Sequence, residues 1–191
     1  MASFIVQYAY AQNWDIDALH TINSWDGAFF RNYNRFISQT EPYVAMGVPL
    51  SMAVVGWVRN DKELLKDALY VGTSVAGAFA LSYGIKYLAD RDRPYITYPD
   101  RVNPYSLEES PSFPSAHTAT AFSLATSLCI KYPKWYVIAP SALWACSVGM
   151  SRMSEGVHYP SDVLAGAAIG VGCAVANVYI NRYLNRWLFG R

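Results

Sequence analysis

Five apolar stretches, joined by polar connections, limit what this 191-residue chain can fold into. A helix needs about 20 apolar residues, within a range of about 17–25, to cross the hydrocarbon core of a bilayer. Several of the stretches reach or nearly reach that length, and almost no charged residue interrupts them. One alone could be a buried helix of a soluble protein, but five together predict an all-α, polytopic membrane helix bundle. The predicted spans are Tyr43–Val58, Leu69–Ile85, Ala119–Ile130, Trp135–Ser151 and Val163–Ile180.

The composition supports this class of protein. The chain is 53% hydrophobic and 15% charged, whereas soluble domains are about 25% charged. Its net charge of +1 provides no general attraction to nucleic acid. We therefore expect the bilayer, and not nucleic acid, to be the partner of this chain; nothing in the sequence indicates an oligomeric state.

The N-terminal part differs from the rest of the chain. In residues 12–41 apolar residues recur every three or four positions among polar ones, which is typical of one or two amphipathic helices at a membrane surface. We expect one membrane-embedded domain over residues 1–191, with an amphipathic segment at 1–41 and the helical core at 42–182. Ala9-Tyr10-Ala11 has the form of a signal-peptidase site without a basic segment before it. Residues 1–11 are thus either a signal-peptide remnant or an interfacial or frayed start.

The charges of the connections predict an orientation in the membrane. Arg59–Lys66, Lys131–Lys134 and the tail Arg182–Arg191 are basic or mixed, and such segments stay in the cytoplasm. With five spans, the longer polar loops around 87–117 and 152–162 then share the opposite, extracytoplasmic face. We expect an inner-membrane protein whose reactive side chains lie on that face.

Three short blocks in those two loops carry the side chains suited to chemistry. In the first block Lys86 and Arg93 are seven residues apart, about two helical turns, so both can project from one face of a helix that Pro94 ends. Basic residues at a membrane edge can also simply extend toward the head groups. This block alone therefore does not identify a site.

The second block is Pro114-Ser115-Ala116-His117, directly before an apolar helical stretch. This pattern indicates a helix N-terminus. Free backbone N–H groups and the helix dipole bind anions there. Ser115 would add a hydroxyl donor, and His117 would lie beside a bound oxyanion. An ordinary helix cap with an incidental histidine is the alternative interpretation.

The third block joins Ser151-Arg152 to His158 and Asp162. An arginine can bind phosphate with two parallel hydrogen bonds. A carboxylate that hydrogen-bonds one imidazole nitrogen fixes the tautomer and leaves the other nitrogen nucleophilic. Phosphoryl transfer needs such a nucleophile within a cluster of cations and N–H dipoles. The three blocks together meet that requirement, and no spacing in the sequence indicates a metal site or a cofactor.

With these blocks the chain resembles the type 2 phosphatidic acid phosphatase superfamily. The signature of that superfamily is K-x6-RP, then PSGH, then SR-x5-H-x3-D. Lys86–Pro94 and Ser151–Asp162 match the first and third parts fully, and the second part has Ala116 in place of glycine. Alanine can still donate the backbone N–H if it tolerates the local backbone angles.

The resemblance implies a role for each matched residue. His158 would attack phosphorus, Asp162 would orient it, and His117 would protonate the leaving oxygen and then deprotonate the hydrolytic water. Lys86, Arg93, Ser115, Ala116 and Arg152 would bind the phosphate oxygens. His158 should be neutral and His117 protonated in the active form, so the rate should be bell-shaped in pH.

The resemblance also implies an activity: metal-independent hydrolysis of a lipid phosphate monoester or pyrophosphate through a phosphohistidine. The candidate substrates are phosphatidate, phosphatidylglycerophosphate, undecaprenyl pyrophosphate and lipid A phosphate. A vanadate-dependent haloperoxidase and a non-enzymatic membrane protein that binds anionic head groups are the alternatives. We interpret the remaining loop charges as solvated or as part of a pocket rim: Asp90, Arg91, Asp92, Glu108, Glu109 and Glu155.

Overall fold

All regular secondary structure in the described residues is helical. The computed structural model describes residues 14–25 and 27–189, with side chains as far as Arg182. The predicted all-α class is confirmed. The question of a signal peptide at residues 1–11 and the side chains of the tail beyond Arg182 lie outside the described residues.

The helices follow one another with short connections, apart from one long polar loop over residues 98–115. The first helix, α1, covers residues 14–23. The others are α2 (Ala28–Val58), α3 (Lys62–Ala89), the single turn α4 (Pro94–Thr97), α5 (Ala116–Lys131), α6 (Trp135–Ser154) and α7 (Pro160–Phe189).

The boundary that we placed at residue 41 is not a break in the structure. Helix α2 runs for 31 residues from the amphipathic segment into the first predicted span, and it contains Pro42 and Pro49. Within the part of the N-terminal segment that the structure describes, α1 is the one separate amphipathic helix. Proline removes one helical hydrogen bond, but neighbouring helices can support the backbone around it in a membrane bundle.

Three helical segments of the described chain are long and apolar enough to cross a membrane: Ala28–Val58, Lys62–Thr97 and Pro160–Arg182. Each contains one of the five predicted spans. The other two predicted spans lie in α5, of 16 residues, and α6, of 20 residues. These two helices do not meet the same criteria of length and hydropathy, although they pack within the same bundle.

Helix α5 is the centre of the bundle and packs against α3, α6 and α7. Its approach to α7 depends on two glycines. A Cβ atom at Gly166 would lie 2.5 Å from the Ser115 carbonyl oxygen, and one at Gly170 would lie 2.2 Å from the Ala119 carbonyl oxygen. Small residues at this spacing let helix backbones come close in a membrane, where van der Waals packing drives association.

The end of α3 differs from the sequence prediction. The helix stops at Ala89, because Asp90 adopts a left-handed conformation with φ of 43°. Pro94 therefore begins α4 and does not end α3, and Arg93 is the extended residue that precedes it. Lys86 and Arg93 do not share one helix, and a bend between them brings both side chains to the same end of the bundle.

We expect Gly170→Ala to destabilise the protein by about 1–3 kcal/mol, the usual cost of overpacking, because the added methyl meets backbone atoms of α5. Gly172→Ala on the same helix is the matched control, since a Cβ there has no neighbour within 4 Å. Equilibrium unfolding in detergent micelles measures both. Equal stability of the two variants would contradict the close approach of α5 and α7.

Candidate active site

The three sequence blocks converge at one end of the bundle. The last turn of α3, the N-terminus of α5, the C-terminus of α6 and the N-terminus of α7 meet there under the loop 98–115. His117 is half-buried. The other seven predicted residues are buried: Lys86, Arg93, Ser115, Ala116, Arg152, His158 and Asp162.

His158 lies in the short connection between α6 and α7 and is only 1% exposed. Its Nε2 atom is 3.5 Å from Nη1 of Arg93, so this nitrogen is directed at the cations. Its Nδ1 atom is 3.5 Å from Oδ2 of Asp162, too long for a good hydrogen bond, and it has no hydrogen-bond partner among the described residues. The two side chains are neighbours as predicted, although the expected hydrogen bond is not formed in this structure.

Burial lowers the pKa of His158, and the charges of Arg152, Arg93 and Lys86 lower it further. An imidazole with a lowered pKa is neutral at ordinary pH, and a neutral imidazole is the form that can act as a nucleophile. The electrostatics therefore agree with the protonation state that we expected for His158.

Asp162 is held by contacts on both of its carboxylate oxygens. Arg91 donates to Oδ1 at 2.6 Å. The Ser112 hydroxyl donates to Oδ2 at 2.5 Å, and the Tyr159 backbone N–H donates to the same oxygen at 2.9 Å. With its carboxylate fixed in this way, Asp162 faces the Nδ1 side of the imidazole.

Glu108 bridges the two arginines that were predicted to bind phosphate. Its Oε2 atom accepts from Arg93 Nη2 at 2.7 Å, and its Oε1 atom accepts from Arg152 Nη2. Burial alone would raise the pKa of Glu108, but Arg152 and Arg93 outweigh it and lower the pKa to about 2. A carboxylate thus lies between the two arginines, where a phosphate group would be expected to bind.

Besides Glu108, two more of the charged residues that we interpreted as solvated or part of a pocket rim are bound into the site. Glu155 is 5% exposed and accepts from Arg152 Nη1 at 2.8 Å and from the Ser38 hydroxyl at 3.0 Å. Arg91 pairs with Asp162. We expected both residues to be solvated or part of a pocket rim. Glu155 does line a cavity, but neither residue is simply solvated, because each pairs with a buried residue of opposite charge in the candidate site.

Ser115 is the N-cap of α5, as the sequence predicted: its hydroxyl oxygen accepts from the Thr118 N–H at 3.5 Å and from the Thr118 hydroxyl at 2.9 Å. His117 follows in the first turn, before the apolar stretch of that helix. Burial lowers its pKa, and Arg152 lowers it further. Both effects favour the neutral form of His117, whereas the expected acid role needs its protonated form.

Lys86 closes the site from the side of α3. Its ammonium group donates to the carbonyl oxygens of Pro111 at 2.5 Å and Ser112 at 3.3 Å. Arg93 likewise donates to the carbonyl oxygen of Ser110 through Nε at 2.8 Å. The buried cations thus hold the loop over the site by its backbone.

Two cavities open from the site, and both reach His117. One has a volume of about 950 Å³ and a partly polar lining that includes Arg35, Gln39 and Tyr105. The other, of about 820 Å³, runs between α2 and α3 along apolar side chains. His158, Lys86 and Glu108 line the inner end of this second cavity, which we call the α2–α3 groove.

Sequence reasoning missed several residues that complete the site. Ser38 and Glu41 come from α2, where Glu41 is 2% exposed and accepts from the Thr120 hydroxyl at 2.7 Å. An isolated carboxylate at the start of an apolar stretch was the available signal for Glu41. Ser112 and Asp15 gave no signal, because their partners are distant in the sequence.

Comparison with known proteins agrees with this geometry. Residues 67–186 match the family model of the PAP2 superfamily. The chain is 30% identical over 161 residues to a protein named bacitracin transport permease BcrC of Bacillus licheniformis, which covers 82% of this chain and 75% of that protein. It is 35% identical over 142 residues to a lipid A 1-phosphatase of Porphyromonas gingivalis, covering 71% of this chain but only 28% of that longer protein.

The structural comparison gives the same assignment. The crystal structure of LpxE from Aquifex aeolicus superposes with a TM-score of 0.75 and 26% sequence identity, covering 87% of this chain and 95% of that one. The family match extends over well over half of the chain and includes all three blocks that carried the resemblance in the sequence. The chain therefore belongs to the PAP2 superfamily and is a phosphatase of that family.

Proposed function

We propose that this protein hydrolyses a lipid phosphate monoester or pyrophosphate through a phosphohistidine formed on His158. The observation that carries the proposal is the orientation of the buried imidazole. Its Nε2 atom faces the cations that hold Glu108, and its Nδ1 atom faces Asp162. A phosphate group that replaced the Glu108 carboxylate between Arg93 and Arg152 would lie beside Nε2.

The first step forms the phosphohistidine. The His158 Nε2 lone pair attacks phosphorus, and the bond from phosphorus to the lipid oxygen breaks. His117 donates a proton to that oxygen, so the lipid leaves as an alcohol or a lipid phosphate. Arg93, Arg152, Lys86 and the N-terminus of α5 bind the phosphate oxygens, whose charge they stabilise in the transition state.

The second step releases phosphate. Neutral His117 takes a proton from water, the water oxygen attacks phosphorus, and the nitrogen–phosphorus bond breaks. Asp162 stabilises the positive charge that the imidazole carries while it bears the phosphoryl group. The side chains supply all the positive charge that this scheme needs, so the proposed reaction is independent of metal ions.

The α2–α3 groove supports a lipid substrate. It lies between two helices that are long and apolar enough to cross a membrane, and Pro49, Leu50, Leu69 and Phe79 are among its lining residues. A lipid tail in the groove would keep its apolar surroundings while the phosphate reached His158. The lipid A 1-phosphatase among the relatives makes lipid A phosphate one candidate. Phosphate release from phosphatidate, phosphatidylglycerophosphate, undecaprenyl pyrophosphate and lipid A would identify the substrate.

We place the active site on the extracytoplasmic face of the inner membrane. The opposite end of the bundle carries the basic connections: Lys131 pairs there with Asp67 at 2.8 Å, next to Lys66 and the start of α3. Cytoplasmic loops are rich in lysine and arginine, which supports this orientation. The partly polar cavity beside Arg35 and Tyr105 would then admit water from the outer side.

We expect His158→Ala to lower phosphate release by about a thousandfold or more, because it removes the attacking atom. His20→Ala is the matched control, since His20 is exposed on α1 and its imidazole bonds only to the Arg101 carbonyl among the described contacts. Both are assayed in EDTA, and the wild-type enzyme is quenched to trap an acid-labile, base-stable phosphoryl group. Turnover by His158→Ala, or loss of wild-type activity in EDTA, would contradict the mechanism.

The lowered pKa values of the two histidines predict an acid-shifted optimum of kcat/KM. His158 is protonated, and so inactive, only well below its usual pKa of about 6.5, so the acid limb lies there. His117 is neutral in the free enzyme and needs a proton for the first step, so kcat/KM falls as the pH rises. Because the pKa of His117 is lowered to about 3, a profile from about pH 2 to 9 is needed to measure both limbs.

The variant His117→Gln tests the origin of the alkaline limb. It removes the group that needs the proton, so the fall toward high pH should disappear for p-nitrophenyl phosphate, whose leaving group departs without protonation. The same variant should lose about 10²–10⁴-fold of the rate with an alkyl phosphate. An unchanged alkaline limb in this variant would assign that limb to another group.

We expect Gly72→Trp to raise the KM for a long-chain lipid phosphate about tenfold or more, by filling the groove without removing a phosphate contact. A Cβ at Gly72 lies 3.6 Å from Pro49, so the side chain enters between α2 and α3. Gly77→Trp is the control on the same helix, outside the groove and without neighbours within 4 Å. The KM for p-nitrophenyl phosphate should stay unchanged in both, and a parallel rise there would contradict tail binding in the groove.

A further inference from the structure

Arg91 connects the Asp162 carboxylate to the N-terminal helix. It lies in the connection between α3 and α4, and its Nη1 atom donates to Asp162 Oδ1 at 2.6 Å and to the Ser161 hydroxyl at 2.7 Å. Its Nη2 atom donates to Asp15 Oδ2 at 2.8 Å. The guanidinium lies 3.8 Å above the Tyr159 ring. One side chain thus contacts three residues of the segment that carries His158 and Asp162.

The backbone of Arg91 acts on the other carboxylate oxygen. The Ser112 N–H donates to the Arg91 carbonyl oxygen at 2.7 Å. The hydroxyl of the same serine then donates to Asp162 Oδ2 at 2.5 Å. Arg91 therefore holds Oδ1 directly and positions the donor that holds Oδ2, so both oxygens of Asp162 depend on it.

Asp15 fixes Arg91 and the start of α7 together. It is 4% exposed although α1 lies at the surface of the bundle. Its Oδ1 atom accepts from the Ser161 N–H at 2.9 Å, and its Oδ2 atom accepts from the Ser161 hydroxyl as well as from Arg91. The Ser161 N–H is one of the free donors at a helix N-terminus. Asp15 therefore caps the helix that carries Asp162.

We propose that Arg91 and Asp15 are positioning residues that hold the Asp162 carboxylate in place for His158, which makes α1 part of the catalytic unit. The proposal rests on the proposed function, because it assumes that His158 is the nucleophile. Neither residue touches the phosphate site, where Lys86, Arg93 and Arg152 have other partners. Their effect must therefore appear in turnover and in the behaviour of His158, and not in phosphate binding.

The charge of Arg91 gives the proposal a specific signature. The charged groups that face His158 are Lys86 of α3, Arg93 before α4, Glu108 of the loop, Arg152 of α6 and Asp162 of α7. Arg91 itself faces Asp15, Asp162 and the Tyr159 ring. It offsets part of the negative charge that Asp162 presents to the imidazole. Without Arg91 that charge would favour the imidazolium, and protonation of His158 would begin at higher pH.

The test compares Arg91→Gln with Arg101→Gln in the full-length protein. Arg101 also pairs with an aspartate of α1, Asp17, at 2.7 Å. This pair is exposed, and neither of its residues has a described contact with Asp162. We expect Arg91→Gln to lower kcat about 10- to 100-fold, as is typical when the partner of a catalytic group is removed. The KM and the inhibition constant of inorganic phosphate should change less than about twofold. The acid limb of kcat/KM should move up by about one pH unit, and Arg91→Lys should restore the limb.

Asp15→Asn, with Asp17→Asn as its control on the same helix, supplies a second and milder variant. Asparagine can still accept from the Ser161 N–H. The substitution removes the Asp15 carboxylate, so among the described residues Asp162 is then the one carboxylate that pairs with Arg91. Arg91 then offsets more of the Asp162 charge. We expect a smaller loss of kcat and an acid limb that moves to lower pH, opposite to the shift in Arg91→Gln.

Three results would overturn the proposal. Arg91→Gln could match Arg101→Gln in kcat and pH profile, or it could lose kcat equally at every pH, which a merely structural role would produce. If the Arg91→Gln variant does not fold, an acid limb that stays in place in Asp15→Asn would refute the positioning role. His158→Ala is assayed in parallel: activity in that variant would refute the phosphohistidine mechanism, whereas an inactive His158→Ala beside a normal Arg91→Gln would refute only the positioning role.

Discussion

The structure depends on keeping three cations buried together at one end of an apolar helix bundle. Lys86, Arg93 and Arg152 are each at most 3% exposed. Charges in such surroundings are stable only when they are paired and hydrogen-bonded. The carbonyl oxygens of residues 110–112 and the carboxylates of Glu108 and Glu155 meet this need. The long loop, the bend after α3 and the polar residues of α2 all serve to bring these partners to the cations.

The sequence was sufficient to predict the features that depend on local spacing. The three blocks predicted that Lys86, Arg93, His117, Arg152, His158 and Asp162 share one site. These side chains do meet at one end of the bundle, although a bend brings Lys86 and Arg93 together and not the spacing along one helix. The periodicity and length of the apolar stretches predicted the helical class. Ser115 was predicted as a helix cap from its position before an apolar helix, and the structure places it there.

Local spacing could not predict the ion-pair partners of the buried charges or the ends of the helices. Glu108 reaches Arg152 across 44 positions and Asp15 reaches Arg91 across 76, so no local pattern could pair them. The left-handed residue Asp90 ends α3 at Ala89, five positions before the proline at which we expected the helix to end. Helix α2 joined two segments that looked different in composition, since its tertiary packing outweighed its two prolines.

The unequal lengths of α3 and α5 set the depth of the candidate site. At 1.5 Å per residue, α3 is about 42 Å long and α5 about 24 Å. The end of α5 is close to the start of α3, because Lys131 pairs with Asp67. The start of α5 therefore lies about 30 Å from the end of the bundle that carries the basic connections, which is about the thickness of the hydrocarbon core. A lipid phosphate would thus meet His158 at the level where its head group already resides. Moving each methylene of a tail into water would cost about 0.8 kcal/mol, and a sideways approach within the membrane plane avoids that cost whatever the tail length.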